Sequence, residues 1–365
     1  MRDLLGQVLD LLADGPVALA RIVDRSGAGP RDTGAAMVVT PAGRVLGSLA
    51  GGCVEAAVLA TAEQVLTDGT SCTERFAAAD ELTVGLPCGG EIEVFVERLD
   101  HADLPLLREL RSALDAHQPI AYATTLEATP DRRLLRPGQI TPWRDLDQDA
   151  AALLTAGRNG SVGAEDCTPA AATRPRTFVQ VFRSPARMIL AGANDYTRAL
   201  ATAATQLGYR VTVVDARETF TTPALFPAAD EVVVDWPHRY LAAEAAADRV
   251  DDRTVVCVLT HDPKFDVPML TAALALPTIG FIGALGSRRA HTDRVARLRE
   301  QNLSPASISR IHSPLGLDLG AHTPAETAVS ILAEILAART DASARPLSTL
   351  TGPIHAEPST RPPRE

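Results

Sequence analysis

The spacing of apolar residues divides the chain into an irregular first half and a regular second half. Near the start, Leu4, Leu5, Val8, Leu11 and Leu12 fall at helical spacing, so an amphipathic helix is expected. Asp3, Asp10 and Asp14 interrupt it and no small-residue cleavage site follows, so it does not read as a secretion signal. Then VALARIV, GAAMVVT, RVLGSLA and EIEVFVERL form short runs with β-strand composition. Pro41-Ala42-Gly43 joins the second and third as a hairpin turn. A helix is expected over 53–67, closed by Asp68-Gly69. Between 100 and 156 the pattern predicts a helix (LPLLRELRSALDAH), a strand (PIAYATTLE) and another helical patch (DQDAAALLTAG). Residues 157–186 lose the periodicity in a stretch rich in Gly, Ala, Thr and Pro, and read as a linker or loose connection.

From 187 the pattern becomes strict. RMILAG, YRVTVVD, EVVVDW, TVVCVLTHD and TIGFIG are continuously apolar, as strands covered by helices on both faces should be. Helices are expected at 195–207, 263–275 and 287–300 between and after them. The last helix, 324–339, begins with Thr323 as N-cap, Pro324 at the first helical position and Glu326 completing a capping box. Its apolar stripe is Ala328, Ile331, Leu332, Ile335 and Leu336. Residues 341–365 carry Pro, Ser and Thr without apolar periodicity and read as a disordered tail. The expected fold class is therefore α/β. A Rossmann-like parallel-sheet domain, 187–340, follows a smaller β-rich α+β domain, 1–156. One uncharged stretch, 267–287, is nominally long enough to cross a bilayer. Pro268, Pro277, Gly280, Gly283 and Gly286 punctuate it, so it reads as a helix, a buried strand and a glycine loop instead.

Composition narrows the function classes. The 365 residues are 46% hydrophobic and 22% charged, ordinary for a soluble globular chain of two or three domains. A net charge of −10 argues against nucleic acid or an anionic membrane as general partners. Five cysteines, spread from Cys53 to Cys257, do not form a secreted disulfide framework, and a cytoplasmic protein is expected.

Candidate chemistry lies in both halves. A strand, a glycine loop and a helix at 188–207 outline a dinucleotide-binding unit, and Asp215 is spaced after Gly192 as a ribose-binding carboxylate would be. The loop reads Gly192-Ala193-Asn194-Asp195, so Asn194 stands where a second glycine normally lets a pyrophosphate approach. Asp195 adds negative charge at the helix start. Both a working dinucleotide loop and a degenerate one fit this pattern. His261 and Asp262 follow the fourth strand, where ligands of open α/β sheets bind. In GALGSRRAH, Arg288 and Arg289 stand at a helix start, a candidate phosphate site or a plain capped helix. In the first half, Cys53 (LAGGCVE) and Cys88 (LPCGGEIE) sit among glycines. Such thiols could ligate a soft metal, carry sulfur, form a redox pair or simply be buried, and their spacing matches no structural zinc motif.

Six strings in order, GSLAGGCVEAAV, GLPCGGEIEVFVE, VTVVDARETF with FPAADEVV, LTHDPKFD, FIGALGSRRAH and RIHSPLGLDLGAHTPAETAVSILAEI, resemble the XdhC/CoxI family, accessory factors for maturation of molybdenum hydroxylases. The resemblance implies an N-terminal domain with two cysteine motifs and a C-terminal Rossmann domain. It implies a maturation chaperone rather than an enzyme, one that binds molybdenum cofactor (molybdopterin). The protein would protect the cofactor during sulfuration and deliver it to a client hydroxylase. A cysteine desulfurase is a further implied partner, and a homodimer is the default assembly. Cys53 and Cys88 match the family's cysteine positions, as catalytic or metal-binding thiols. His261, Asp262, Arg288, Arg289 and Asp318 match its C-terminal motifs. The loop at 192–195 departs from the family's Gly-Ala-Gly-His pattern. The competing readings are an NAD(P)-binding oxidoreductase and a non-catalytic regulatory paralogue with a degenerate nucleotide loop.

Overall fold

The structure, a computed structural model, describes residues 1–27, 31–52, 54–77, 90–139, 143, 146–163 and 174–351. They form two compact units, Met1–Ser184 and Pro185–Leu350.

The first unit contains α1 (Leu5–Asp14), β1 (Val17–Ser26), β2 (Ala36–Val39), β3 (Val45–Gly47) and α2 (Glu55–Asp68). It continues with β4 (Cys72–Phe76), β5 (Glu91–Leu99), α3 (Leu104–Asp115), β6 (Ile120–Thr125) and β7 (Arg132–Leu135). It closes with α4 (Asp147–Ala156), β8 (Gly160–Val162) and β9 (Thr177–Phe182). One antiparallel sheet has the order β3-β2-β1-β5-β4, the other β7-β6-β9-β8. A buried charge network links them. Arg21 on β1 is fully buried; its Nη2 donates to Glu97 Oε1 on β5 at 2.6 Å and to Thr124 Oγ1 on β6 at 2.7 Å. Its guanidinium also lies over the rings of Tyr122 and Phe178, at 4.9 and 5.5 Å. Arg132 on β7 holds the other Glu97 oxygen at 2.7 Å. Removing one member would strand a buried charge, at a cost of roughly 3–5 kcal/mol.

Residues 157–186, expected as a linker, carry β8 and β9 instead. β9 lies inside the second sheet, paired antiparallel with both β6 and β8. Its apolar run TFVQVF is short and contains Gln180, which hides the strand in sequence. Within the fold Gln180 is satisfied, its Nε2 donating to Gly34 O at 2.9 Å. The paired cysteines Cys53 and Cys88 lie outside the described residues.

The second unit contains β10 (Arg187–Ala191), α5 (Asp195–Gln206), β11 (Arg210–Asp215), β12 (Glu231–Val234), α6 (Pro237–Ala246) and β13 (Val255–Val258). It continues with α7 (Pro263–Leu274), β14 (Phe281–Ala284), α8 (Arg288–Glu300), the short α9 (Pro305–Ile308), β15 (Ile311–His312) and α10 (Pro324–Thr340). All six strands are parallel, in the order β12-β11-β10-β13-β14-β15. The chain thus reverses its direction across the sheet between β10 and β13, the switch point where α/β proteins bind ligands. Neighbouring residues of one strand enter different cores: Leu190 packs with α5 and α10, Ile189 with α6, α7 and α8.

The capping box Thr323–Glu326 forms as expected, and Ala328, Ile331, Leu332 and Ile335 are buried. Leu336 is 37% exposed, because α5 covers only part of the expected stripe. The uncharged stretch from 267 divides between α7, β14 and the loop before α8. Among the described residues, no helix is long and apolar enough to cross a membrane. Helix α6, the two-residue β15 and α9 went unread in the sequence. The tail expected at 341–365 is exposed at first and includes a 3-10 turn, Leu347–Thr349; 352–365 lie outside the described residues.

Candidate functional site

The carboxyl edge of the parallel sheet gathers all eight expected residues of the second unit. The loop after β10 is the tightest part. Gly192 has φ +116°, and a Cβ there would stand 2.7 Å from Thr260 Cγ2 and 3.1 Å from Thr260 N. Only glycine fits, on both backbone and spatial grounds. Asn194 caps α5: its Oδ1 accepts from Thr197 N at 3.1 Å. Its Nδ2 donates to Leu259 O at 2.9 Å, tying the loop to the end of β13. The side chain that replaces the second glycine therefore bridges the switch point.

Asp215 ends β11 and is 1% exposed. Its Oδ2 accepts from Ala193 N at 2.8 Å, and Oδ1 from Arg217 N at 2.9 Å. The Arg217 guanidinium grips both oxygens, from Nε at 3.0 Å and from Nη2 at 2.7 Å. Burial pushes this carboxyl's pKa up, but Arg217 and the two backbone donors outweigh it and hold it below its ordinary value. The carboxylate expected to face a ribose is thus engaged within the protein, and so is the Ala193 N–H that would face a phosphate.

Beyond the switch point, Asp262 caps α7 by accepting from Lys264 N at 3.0 Å, while His261 is exposed. Thr260 donates to Asp266 Oδ1, and Asp266 Oδ2 accepts from Arg294 Nη2 at 2.9 Å. Arg294 also donates to Leu285 O at 2.9 Å and to Ser313 Oγ at 3.1 Å. One buried ion pair thereby joins the loops after β13, β14 and β15, a tie with no spacing signal in sequence. Ser287 caps α8, accepting from Ala290 N at 3.2 Å. Arg288 and Arg289 are exposed, with no ion pair among the described residues, and Asp318 is exposed in the loop before α10.

In the first unit the loop between β3 and α2 has its own organiser. Glu55 Oε1 accepts from Ser48 Oγ at 2.8 Å, Leu49 N at 3.1 Å and Ala50 N at 2.9 Å. Its Oε2 accepts from Gly52 N at 2.8 Å. Burial raises the pKa of this carboxyl, yet these donors prevail and bring it to about 2. Sequence reasoning missed Glu55, although a glutamate three residues after Gly-Gly at a helix start is a readable signal. Cys257 is fully buried in β13, and burial pushes its thiol pKa up; Cys72 shifts the same way. Among the described residues, no three His, Cys, Asp or Glu side chains form a group able to hold a metal ion.

The strand order and the glycine loop define a Rossmann-type domain in the second unit. The model of the XdhC Rossmann domain matches residues 188–335, and that of the XdhC and CoxI family matches residues 11–77. The chain belongs to the XdhC and CoxI family. It is 29% identical over 88% of its length to a probable xanthine dehydrogenase subunit of Bacillus subtilis, covering 92% of that protein. It is 28% identical over 93% of its length to the molybdenum cofactor insertion chaperone PaoD of Escherichia coli, covering 88% of it. A solved structure described as a xanthine dehydrogenase from Bacillus halodurans shares the fold, with TM-score 0.66 and 24% identity over 91% of this chain and 94% of that one.

Proposed function

We propose that this protein is a maturation factor that binds molybdenum cofactor as cargo and inserts it into the apo form of a molybdenum hydroxylase. The observation that carries this reading is the similarity to PaoD along 93% of the chain. In this reading a cysteine desulfurase supplies sulfur for the cofactor's sulfido ligand, and Cys53 and Cys88 are the thiols that face the metal. Thiolate is a fitting ligand for a soft metal–sulfur centre. The protein works in the cytoplasm as a homodimer.

The NAD(P) alternative finds less support. A dinucleotide needs the loop N–H groups for its pyrophosphate and a free carboxylate for its ribose. Here Ala193 N donates to Asp215, Thr197 N to Asn194, and Asp215 is gripped by Arg217.

The test is purification under anaerobic conditions from a molybdenum-replete host, followed by oxidation and detection of a fluorescent pterin derivative. The expected result is pterin bound to the purified protein, and an apo-hydroxylase activated by it. No activation overturns the reading, and activation without bound pterin removes the cargo. In the same assay, Cys53→Ala with Cys88→Ala is expected to abolish activation while leaving the fold intact. A fully active client would remove the thiol role.

A further inference from the structure

Helices α7 and α8 start one strand apart on the carboxyl edge, and Asp266 in the first turn of α7 pairs with Arg294 in the second turn of α8. On α8, Ala290, Asp293, Arg294 and Arg297 follow one another at i, i+3, i+4 and i+7, a single helix face. On α7, Pro263, Asp266 and Val267 do the same over one turn. Together with His261 they line a cleft of about 150 Å³. Its floor is the Asp266–Arg294 pair, each residue only 5% exposed. Arg294 Nε is buried there with no hydrogen-bond partner among the described residues. Asp293 and Arg297 are exposed on the cleft wall and form no ion pair among the described residues, although i,i+4 spacing allows one.

We propose that this cleft seats a single flat heterocycle bearing a 2-amino-4-oxo pyrimidine edge, with Asp293 and Arg297 reading that edge. The assignment rests on the maturation reading above, and it narrows the ligand to the pterin end of the cargo. A carboxylate accepts two parallel N–H bonds from a planar fork, as it does from arginine. The 2-amino group and N3–H of a pterin make the same fork, and the adjacent 4-oxo group accepts from a guanidinium. Asp293 and Arg297, one turn apart, offer that acceptor and that donor side by side. Pro263, Val267 and Ala290 supply apolar surface for the ring faces. Sites for drug-sized ligands begin at roughly 300 Å³. A cleft half that size holds one ring system and leaves a dinucleotide outside.

The test uses the full-length protein, 6-hydroxymethylpterin and 6-hydroxymethyllumazine, which carries a 2-oxo group in place of the 2-amino group. Wild-type protein is expected to bind the pterin at least tenfold more tightly than the lumazine, by fluorescence titration. Asp293→Asn replaces one acceptor by a donor and is expected to erase that preference. Arg297→Leu is expected to weaken both probes. Both side chains are exposed, so thermal melts of the variants should match the wild type. Equal binding of the two probes, or pterin binding untouched by Asp293→Asn, overturns the proposal. Client activation on the same proteins separates the two levels. Activation by wild type and by Asp293→Asn alike, without pterin discrimination, removes the cleft and keeps the maturation reading. Pterin discrimination that depends on Asp293, without client activation, keeps the cleft and removes the maturation reading.

Discussion

The loop 48–52 before α2 and the loop 192–194 before α5 both lead from a strand through glycine into a helix. In each, a carboxylate of the chain itself takes the backbone N–H groups that an external anion would otherwise find. They differ in where that carboxylate comes from. Glu55 belongs to the first turn of the helix that follows its loop, and it is only partly buried. Asp215 comes from the neighbouring strand and is 1% exposed. They differ also in the space around the glycines. A Cβ on Gly51 or Gly52 would meet nothing within 4 Å, so those residues serve backbone conformation, with φ of +75° and +115°. Gly192 is pressed against Thr260 as well. The first loop is a locally tied collar, open to an approaching group. The second is a closed staple between strands.

Breaking the second loop should have the largest effect on stability. Asp215→Ala leaves the Ala193 N–H unpaired in a buried place, and a loss of roughly 2–3 kcal/mol is expected in urea denaturation. An unchanged midpoint would show that the staple is not structural. Asn194→Ala removes a helix cap and should cost about 1 kcal/mol. It should not bring NADH binding, because Asp215 still holds Ala193 N. Micromolar NADH binding by this variant, in a fluorescence titration, would break the contrast between the loops.

Glu55→Gln should cost about 1 kcal/mol in urea denaturation, because the amide keeps one acceptor oxygen for the loop N–H groups and loses the charge. It should lower client activation by about tenfold, the factor carried by one charge-assisted hydrogen bond of ~1.5 kcal/mol. The pH dependence has a definite sign. The Glu55 carboxyl lies at about 2 in the folded chain against an ordinary 4.5, so its contribution is complete above 4.5 and fades as the pH falls towards 2. The Gly52 amide resonance should accordingly titrate near 2, and a midpoint near 4.5 would mean that the collar does not form. The smallest effect is expected at Cys257. With its thiol pKa raised by burial, it should resist iodoacetamide in the native protein, as mass spectrometry would detect.

Much of the second unit was legible because its signals are local. Continuous apolar strands, the Thr323–Glu326 box and the glycine loop each announce themselves within a few residues. Strand β9 was not legible, because Gln180 interrupts its pattern and finds its partner, Gly34, far away in sequence. The Asp266–Arg294 pair was hidden for the same reason, with its two members on different helices.

The sequence by itself determined the two-part organisation, the parallel-sheet character of 187–340 and the positions of Gly192, Asn194, Asp215 and His261 at strand ends. Periodicity and turn chemistry act over short spans, and the sequence displays them directly. Only the tertiary structure decided what those residues are free to do. Asp215 has the spacing of a ribose ligand, but Arg217 and Ala193 N take up its oxygens. Asn194 could leave a loop open or close it, and its contact with Leu259 O closes it. A buried polar group must find partners inside the protein. Which partners it finds depends on strands and helices that meet only when the chain folds.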